Sequence, residues 1–364
     1  MESKESSLET STPNVSPSAA ASNAYALGLT QFQGFWIPSS RVPTSSIISF
    51  QKYFQALDDD IIVASKPKAG TTWLKALVFT IVNRHSYTLS NIPLNSVNPH
   101  QLIQFFYGGG EVRGGCSGGG NNGNGSGEEE EELLNTLLNS ANPHQLISHF
   151  EIKFYKENPN LDLSKIPSPR VFSTHLPYSM LVDSIKRSNC RIVYITRNPF
   201  DIVVSLWHFV RGVHNLPDWP LEDCFEMFCR GEESYGPFWD HALGYWNMSV
   251  EKPSNILFMR YEELKEDSVA QTKRLAEFLR FPFSLEEEKT GVVNQIIDFC
   301  SFNNLKDLEV NKTGKMPRSI IPSLIPSHRS GKVGDYINHL SPTAVERLSN
   351  VLKEKLSESS LTFN

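Results

Sequence analysis

The chain of 364 residues has room for one large domain or two modest ones, and 39% hydrophobic with 20% charged residues can build a buried core, which excludes a wholly disordered protein. A formal net charge of −6 excludes a general nucleic-acid binder but leaves a local basic pocket open. Five scattered cysteines (Cys116, Cys190, Cys224, Cys229, Cys300) with no CxxC pair argue against a disulfide framework or a zinc site and fit a reducing compartment, and no apolar run approaches the ~20 residues that span a bilayer.

Residues 1–24 are rich in Ser, Thr and Ala, carry Glu2, Glu5 and Glu9, and lack Arg. They have neither the apolar run of a secretory signal nor the acid-poor, Arg-rich composition of a transit peptide, so they read as a disordered tail on a cytoplasmic protein. Order is expected from Tyr25, with a helix-like segment at Ser46–Leu57. Asp60 to Ser65 is a short β-branched run, the pattern of a buried strand, followed by a turn and a helix from Thr71 to about Asn83. Residues 108–127 then hold eleven of the 22 glycines, and Glu128 to Glu132 form an acidic run. Glycine loses too much backbone entropy for such a stretch to order unaided, so a flexible surface insertion is expected at about 106–137. It interrupts a domain that otherwise runs from 25 to 364. The decapeptide at 94–103 recurs at 138–147 with only Val97 and Ala141 differing, the mark of a local duplication or a gene-model artefact rather than a solenoid.

Strands are expected again at Arg170–Thr174, Cys190–Thr196 and Asn255–Arg260, with helices through Phe200–Val210 and Ser268–Leu279. This alternation predicts a single α/β domain, P-loop-like, whose central and mainly parallel sheet is covered by helices on both faces. Ligands of such sheets bind beyond the carboxyl ends of the strands.

The turn between the first buried strand and its helix reads KPKAGTTW (66–73). Gly70 lets the backbone approach an anion, and the amides of Gly70, Thr71 and Thr72 start a helix whose dipole favours negative charge. Lys68 adds a full positive charge and Trp73 an aromatic face. Taken alone, the same segment also reads as an ordinary strand–turn–helix junction capped by Thr71. It is not a Walker A loop, because Lys68 precedes Gly70 and Ser65 stands where the first glycine belongs, which speaks against a triphosphate hydrolase or kinase.

KPKAGTTW resembles the 5′-phosphosulfate loop of cytosolic sulfotransferases, and three more segments agree in order: Ser173-Thr174-His175-Leu176-Pro177, Arg197-Asn198-Pro199-Phe200-Asp201 with Ser205 beyond it, and Arg329 to Tyr336. Within that family the chain is most similar to the plant soluble branch, including hydroxyjasmonate and flavonol sulfotransferases. Gly236 to Trp239, Cys300 to Phe302 and Val345 to Leu348 carry that likeness. The resemblance implies 3′-phosphoadenylyl sulfate (PAPS) as donor, a small hydroxylated acceptor, and neither metal, nucleic acid nor membrane as partner. It implies that His175 is the general base, a role suited to an imidazole whose ordinary pKa is near ~6.5. Lys68 would stabilise charge on the leaving phosphate. Ala69, Gly70, Thr71 and Thr72 would line the donor loop, and Trp73 would stack on the adenine. Arg197, Ser205, Arg329, Ser330 and Gly331 would hold the 3′-phosphate, and Tyr261, Ser301 and Phe302 would surround the adenine. Ala69, Ser330 and Tyr336 depart from the usual Ser, Lys and Trp, so weaker donor binding is expected. An alternative is a catalytically impaired nucleotide binder, its acceptor mouth reshaped by the duplicated segment.

Overall fold

A computed structural model describes residues 24–85, 147–164, 166, 168–301, 304 and 331–363. The expectations for the tail at 1–23, for the insertion, and for both copies of the repeat except Ile147 lie outside these residues. Ala24, assigned to the tail by composition, is buried in the core.

The chain enters through a two-stranded hairpin, β1 (Thr30–Phe32) and β2 (Phe35–Ile37), and a helix, α1 (Thr44–Tyr53). The helix ends four residues before the expected Leu57, because Phe54 turns to extended backbone and carries its ring into the core. Four strands form the central sheet: β3 (Ile61–Ser65), β4 (Val171–Thr174), β5 (Arg191–Thr196) and β6 (Ile256–Arg260). Their order is β4-β3-β5-β6 and every pairing is parallel. Each strand begins within a residue of its expected start and ends where expected.

Alternation along the strands divides the core. Ile62, Ala64, Ile192, Tyr194 and Phe258 face one apolar cluster, while Ile61, Val63, Val193, Ile195 and Met259 face the other. The second face is covered by α2 (Thr71–Asn83), whose Leu74, Leu77 and Ile81 recur at helical spacing. The first face is covered by α3 (Pro199–Val213), α4 (Phe238–Glu251) and the hairpin. Pro199 at the first turn and the Asn198 side chain, accepting from the Phe200 N–H, start α3. After β6 come α5 (Tyr261–Glu266), α6 (Ser268–Phe278) and α7 (Val292–Phe299), and the chain closes with α8 (Pro342–Lys355). No helix among the described residues is long and apolar enough to cross a membrane.

Register places the site. Val63 pairs with Ser173 and Ser65 with Ile195, and Thr196 pairs with Arg260. The residues that follow each strand (Lys66, His175, Arg197 and Tyr261) therefore leave one edge of one sheet.

Candidate functional site

The turn from Lys66 to Gly70 is built for close approach. Lys68 holds φ +73°, a conformation rarely adopted by a residue with a Cβ, and Gly70 holds φ +111°. A Cβ on Gly70 would come within 2.8 Å of the Tyr261 ring. Gly70, not Thr71, is the cap position of α2, and no side chain caps the helix. The reading of Thr71 as a cap is thus overturned, since its hydroxyl is 2.7 Å from the Ser65 hydroxyl instead. The first-turn amides of α2 are left without a side-chain acceptor, the usual setting for an anion. Ala69 departs from its expected part. It is fully buried and its N–H donates to the Lys66 carbonyl (3.2 Å), so that amide closes the turn instead of facing a ligand.

Two cations border this turn. Burial, reinforced by the charge of Arg197, pulls the Lys68 ammonium down to about 8. Its Nζ lies 4.9 Å from the centroid of the Phe209 ring. The Arg197 guanidinium lies 4.8 Å from the Tyr261 ring, donates to Asp201 (3.1 Å) and to the Lys332 carbonyl (2.7 Å), and keeps a buried Nε with no hydrogen-bond partner. Two like charges gathered at an uncapped helix start, with one depressed in pKa, form a receptor for a multiply charged anion.

Asp201 closes the segment from Arg197, and the sequence alone assigns it no role. It is nearly fully buried and accepts from Arg197, from Gly334 N–H (2.9 Å) and from Tyr336 N–H (3.1 Å). One carboxylate thus ties the guanidinium to the segment at 331–336. The Tyr261 hydroxyl adds a second tie, donating to the Gly331 carbonyl at 2.8 Å. Tyr336 rests on Phe200 with ring centroids 5.0 Å apart. Trp73 meets Tyr261 edge-on at 5.4 Å and carries Lys265 above its ring at 5.3 Å.

Gly70, Trp73, Arg197, Tyr261 and Gly331 are therefore brought together, with Lys68 close by. Ser205 lies partly buried on α3, one turn before Phe209. Ser301 follows α7 and accepts the Asn304 N–H (3.3 Å); no bond among the described residues links it to the Lys68 turn. Thr72 lies in the first turn of α2. Phe302, Arg329 and Ser330 lie outside the described residues.

His175 follows β4 beside the end of β3. Its Nδ1 is 2.6 Å from the Ser65 carbonyl oxygen, which can only accept, so Nδ1 carries the proton and Nε2 is the basic nitrogen. The main chain around it is held from two sides. Its N–H donates to Glu151 Oε1 (2.8 Å), and its carbonyl accepts from His241 Nε2 (2.9 Å). Burial and nearby Lys66 drive the His241 imidazole down to about 3, which keeps it neutral, while its Nδ1 accepts from the Tyr194 hydroxyl (3.0 Å).

Behind the histidine lies a polar cluster that the sequence did not reveal. Glu151, on a single π-helical turn (Phe150–Phe154), is fully buried and also accepts from Thr174 Oγ1 (3.0 Å) and Tyr235 OH (3.4 Å). Desolvation raises its pKa. The His149 ring lies 4.3 Å from the His175 ring, and its Nδ1 is 3.2 Å from Lys75 Nζ. Burial drops Lys75 to about 7, against a smaller opposing pull from Glu151. Lys66, neighbour to the loop lysine, forms a buried ion pair with Glu233 (2.9 Å) and donates to the Ser234 carbonyl (2.8 Å), pinning the segment that carries Tyr235.

Residues 58–360 match the family model for a sulfotransferase domain. The chain is 41% identical over 338 residues to cytosolic sulfotransferase 15 of Arabidopsis thaliana, covering 91% of this chain and 81% of the relative. It is 40% identical over 340 residues to cytosolic sulfotransferase 14 of the same plant, covering 91% and 84%. Among solved structures, an Arabidopsis thaliana sulphotransferase is similar with a TM-score of 0.61, 34% identity, and coverage of 92% of this chain and 89% of that one. A mouse sulfotransferase crystallised with PAP is similar with a TM-score of 0.63, 25% identity, and coverage of 91% and 96%.

Proposed function

The chain belongs to the sulfotransferase family, and from that premise we propose that it transfers the sulfuryl group of PAPS to a hydroxyl of a small molecule in the cytoplasm. The observation that carries this reading is a juxtaposition on one sheet edge. An uncapped, glycine-started helix with two cations stands beside an imidazole whose tautomer is fixed by the carbonyl that ends β3. The residues present fit the donor: first-turn amides and Lys68 suit its 5′-phosphosulfate end, and Arg197, with a buried N–H to give, suits the 3′-phosphate.

The donor supplies an activated sulfuryl group and a bisphosphate leaving group, PAP. His175 Nε2 takes the proton of the acceptor hydroxyl as its oxygen attacks sulfur. Lys68, charged at neutral pH, meets the negative charge that grows on the departing phosphate oxygen, a contact stronger in the transition state than before it. Glu151 and His241 hold the main chain of the base, so little reorganisation accompanies proton transfer. Gly331 belongs to the same grip through Tyr261. Ser205, Ser301, Trp73, Thr71 and Thr72 are retained as donor-binding residues on the resemblance of their motifs, as are Phe302, Arg329 and Ser330.

Calorimetric titration with PAP, followed by transfer of labelled sulfate from PAPS to a panel of phenols and hydroxy acids, tests the proposal. Binding of PAP and turnover of at least one acceptor are expected. No uptake of PAP would overturn the reading, and PAP binding without turnover of any acceptor would leave a nucleotide binder in its place.

A further inference from the structure

The imidazole of His175 has a second imidazole against it. The His149 ring lies 4.3 Å away, tilted by 33°. The sheet puts it there: His149 bridges Ser173 of β4 in parallel register, beside the strand that delivers His175, and it is buried. Its Nδ1 lies 3.2 Å from the Nζ of Lys75, itself buried, which reaches it from α2.

An ammonium only donates. While Lys75 is charged, His149 Nδ1 therefore accepts, its proton sits on Nε2, and the ring is neutral. A further charge on His149 would face the first in a buried setting and is disfavoured. The pair thus holds one positive charge, a single ring away from His175. Burial brings Lys75 down to about 7, so the ammonium is charged on the acid side of neutrality, where an ordinary imidazole takes up its proton. The other charged and titratable groups around His175 have partners of their own among the described residues. Glu151 offsets part of the Lys75 charge, but its oxygens accept from Thr174, Tyr235 and the His175 N–H. Lys66, just after β3, is paired with Glu233, and His241 of α4 is kept neutral. Tyr235, its ring 5.4 Å from that of His175, is kept protonated by burial.

We propose that Lys75 and His149 form a positioning pair for the base: the charge behind the ring resists protonation of His175, and the His149 ring, fixed in tautomer and place, keeps the neighbouring imidazole neutral and ready to accept. The inference rests on the reading of His175 as general base and deepens it. Both residues act through His175, and no step is added to the transfer.

The test follows kcat/KM against pH at saturating PAPS, with an acceptor from the phenol and hydroxy-acid panel whose hydroxyl does not ionise over the range scanned. Lys75→Met exchanges a buried charge for an apolar chain of similar length, a change that folds commonly accept. The midpoint of its acid limb should move up by about half a pH unit or more, so that turnover at the acid end falls about threefold or more. His149→Phe keeps a ring against His175 but gives Lys75 no acceptor. Its ammonium then loses its proton, and the midpoint should move the same way. His149→Asn, whose Oδ1 takes the Lys75 N–H, should restore it. The two changes act through one charge, so Lys75→Met combined with His149→Phe should shift the midpoint no farther than Lys75→Met alone. A ring that serves packing only would leave the midpoint of His149→Phe in place, and that result overturns the proposal, as does an unmoved midpoint in Lys75→Met. Should Lys75→Met fail to fold, His149→Phe against His149→Asn decides. PAP titration of each variant separates this proposal from its premise. Uptake of PAP and turnover with an unmoved midpoint remove the pair alone, whereas no uptake of PAP by the unaltered chain removes both.

Discussion

At the scale of single residues the site depends on a few atoms whose loss has distinct signatures. His175→Ala removes the basic nitrogen but not the donor turn. Transfer should fall by about 10²–10⁴-fold while PAP titrates as before, and retained turnover would take His175 out of its role. Gly70→Ala forces a methyl group against the Tyr261 ring in a backbone conformation that disfavours it. It should cost about 1–3 kcal/mol of stability in denaturant titration and weaken PAP binding with it. Lys68 carries a pH signature. Its ammonium is held at about 8, below the ordinary 10.5, so the penalty on the fold is complete below about 8 and is relieved as pH rises toward 10.5. The affinity for PAP should move the opposite way, falling as pH rises through about 8. A bound phosphate pulls the ammonium back up, so titrations near pH 8 in buffers of different ionisation heat should show proton uptake that is absent in Lys68→Met. Equal proton counts in the two proteins would refute this.

At the scale of elements, α3 and the segment at 331–336 act as one unit through Asp201. Asp201→Ala removes the acceptor for two main-chain N–H groups and the partner of Arg197. It should weaken PAP binding by about tenfold or more and lower the melting temperature, whereas Asp201→Asn, which keeps an acceptor oxygen, should fall less. An unchanged PAP affinity in Asp201→Ala would show that the segment is not part of the grip. These elements were legible to different degrees. The central strands announced themselves because buried β-branched runs have few alternatives, and α2 followed from the turn that precedes it. Thr71 has the chemistry of a cap, which kept the plain-junction reading open in sequence, but the left-handed backbone of Gly70 puts the glycine in that place. Asp201 lay within a recognised motif, but nothing local says that its partners come 133 and 135 residues later. Glu151, His149 and Lys75 gave no signal at all. A buried acid beside Phe150 looks in sequence like a surface charge on an amphipathic turn, and only the parallel pairing with β4 turns it inward.

At the scale of the whole molecule, the repeat and its glycine-rich spacer set a boundary that can be tested by deletion. Because the decapeptide occurs twice, a deletion of residues 106–149, spacer and second copy together, looks tolerable from sequence. The structure narrows that block, because Ile147 is buried, the Ser148 carbonyl accepts from Ser173 N–H (2.9 Å), and the His149 ring packs tilted against His175 with centroids 4.3 Å apart. A chain lacking 106–137 should keep its melting temperature within a few degrees. A chain lacking 106–149 should lose stability and transferase activity together. If both deletions melt alike, the stretch from 147 to 149 contributes nothing to the fold.

The peptide oxygen of Ser65 ends an inner strand and also orients the imidazole across from it. The ring is thereby held by the central sheet itself and not by the helices that cover it. In urea well short of unfolding, the outer helices should loosen first and the maximal velocity should decline. On the proposed mechanism the acid limb of the velocity profile should keep its midpoint until the sheet itself gives way.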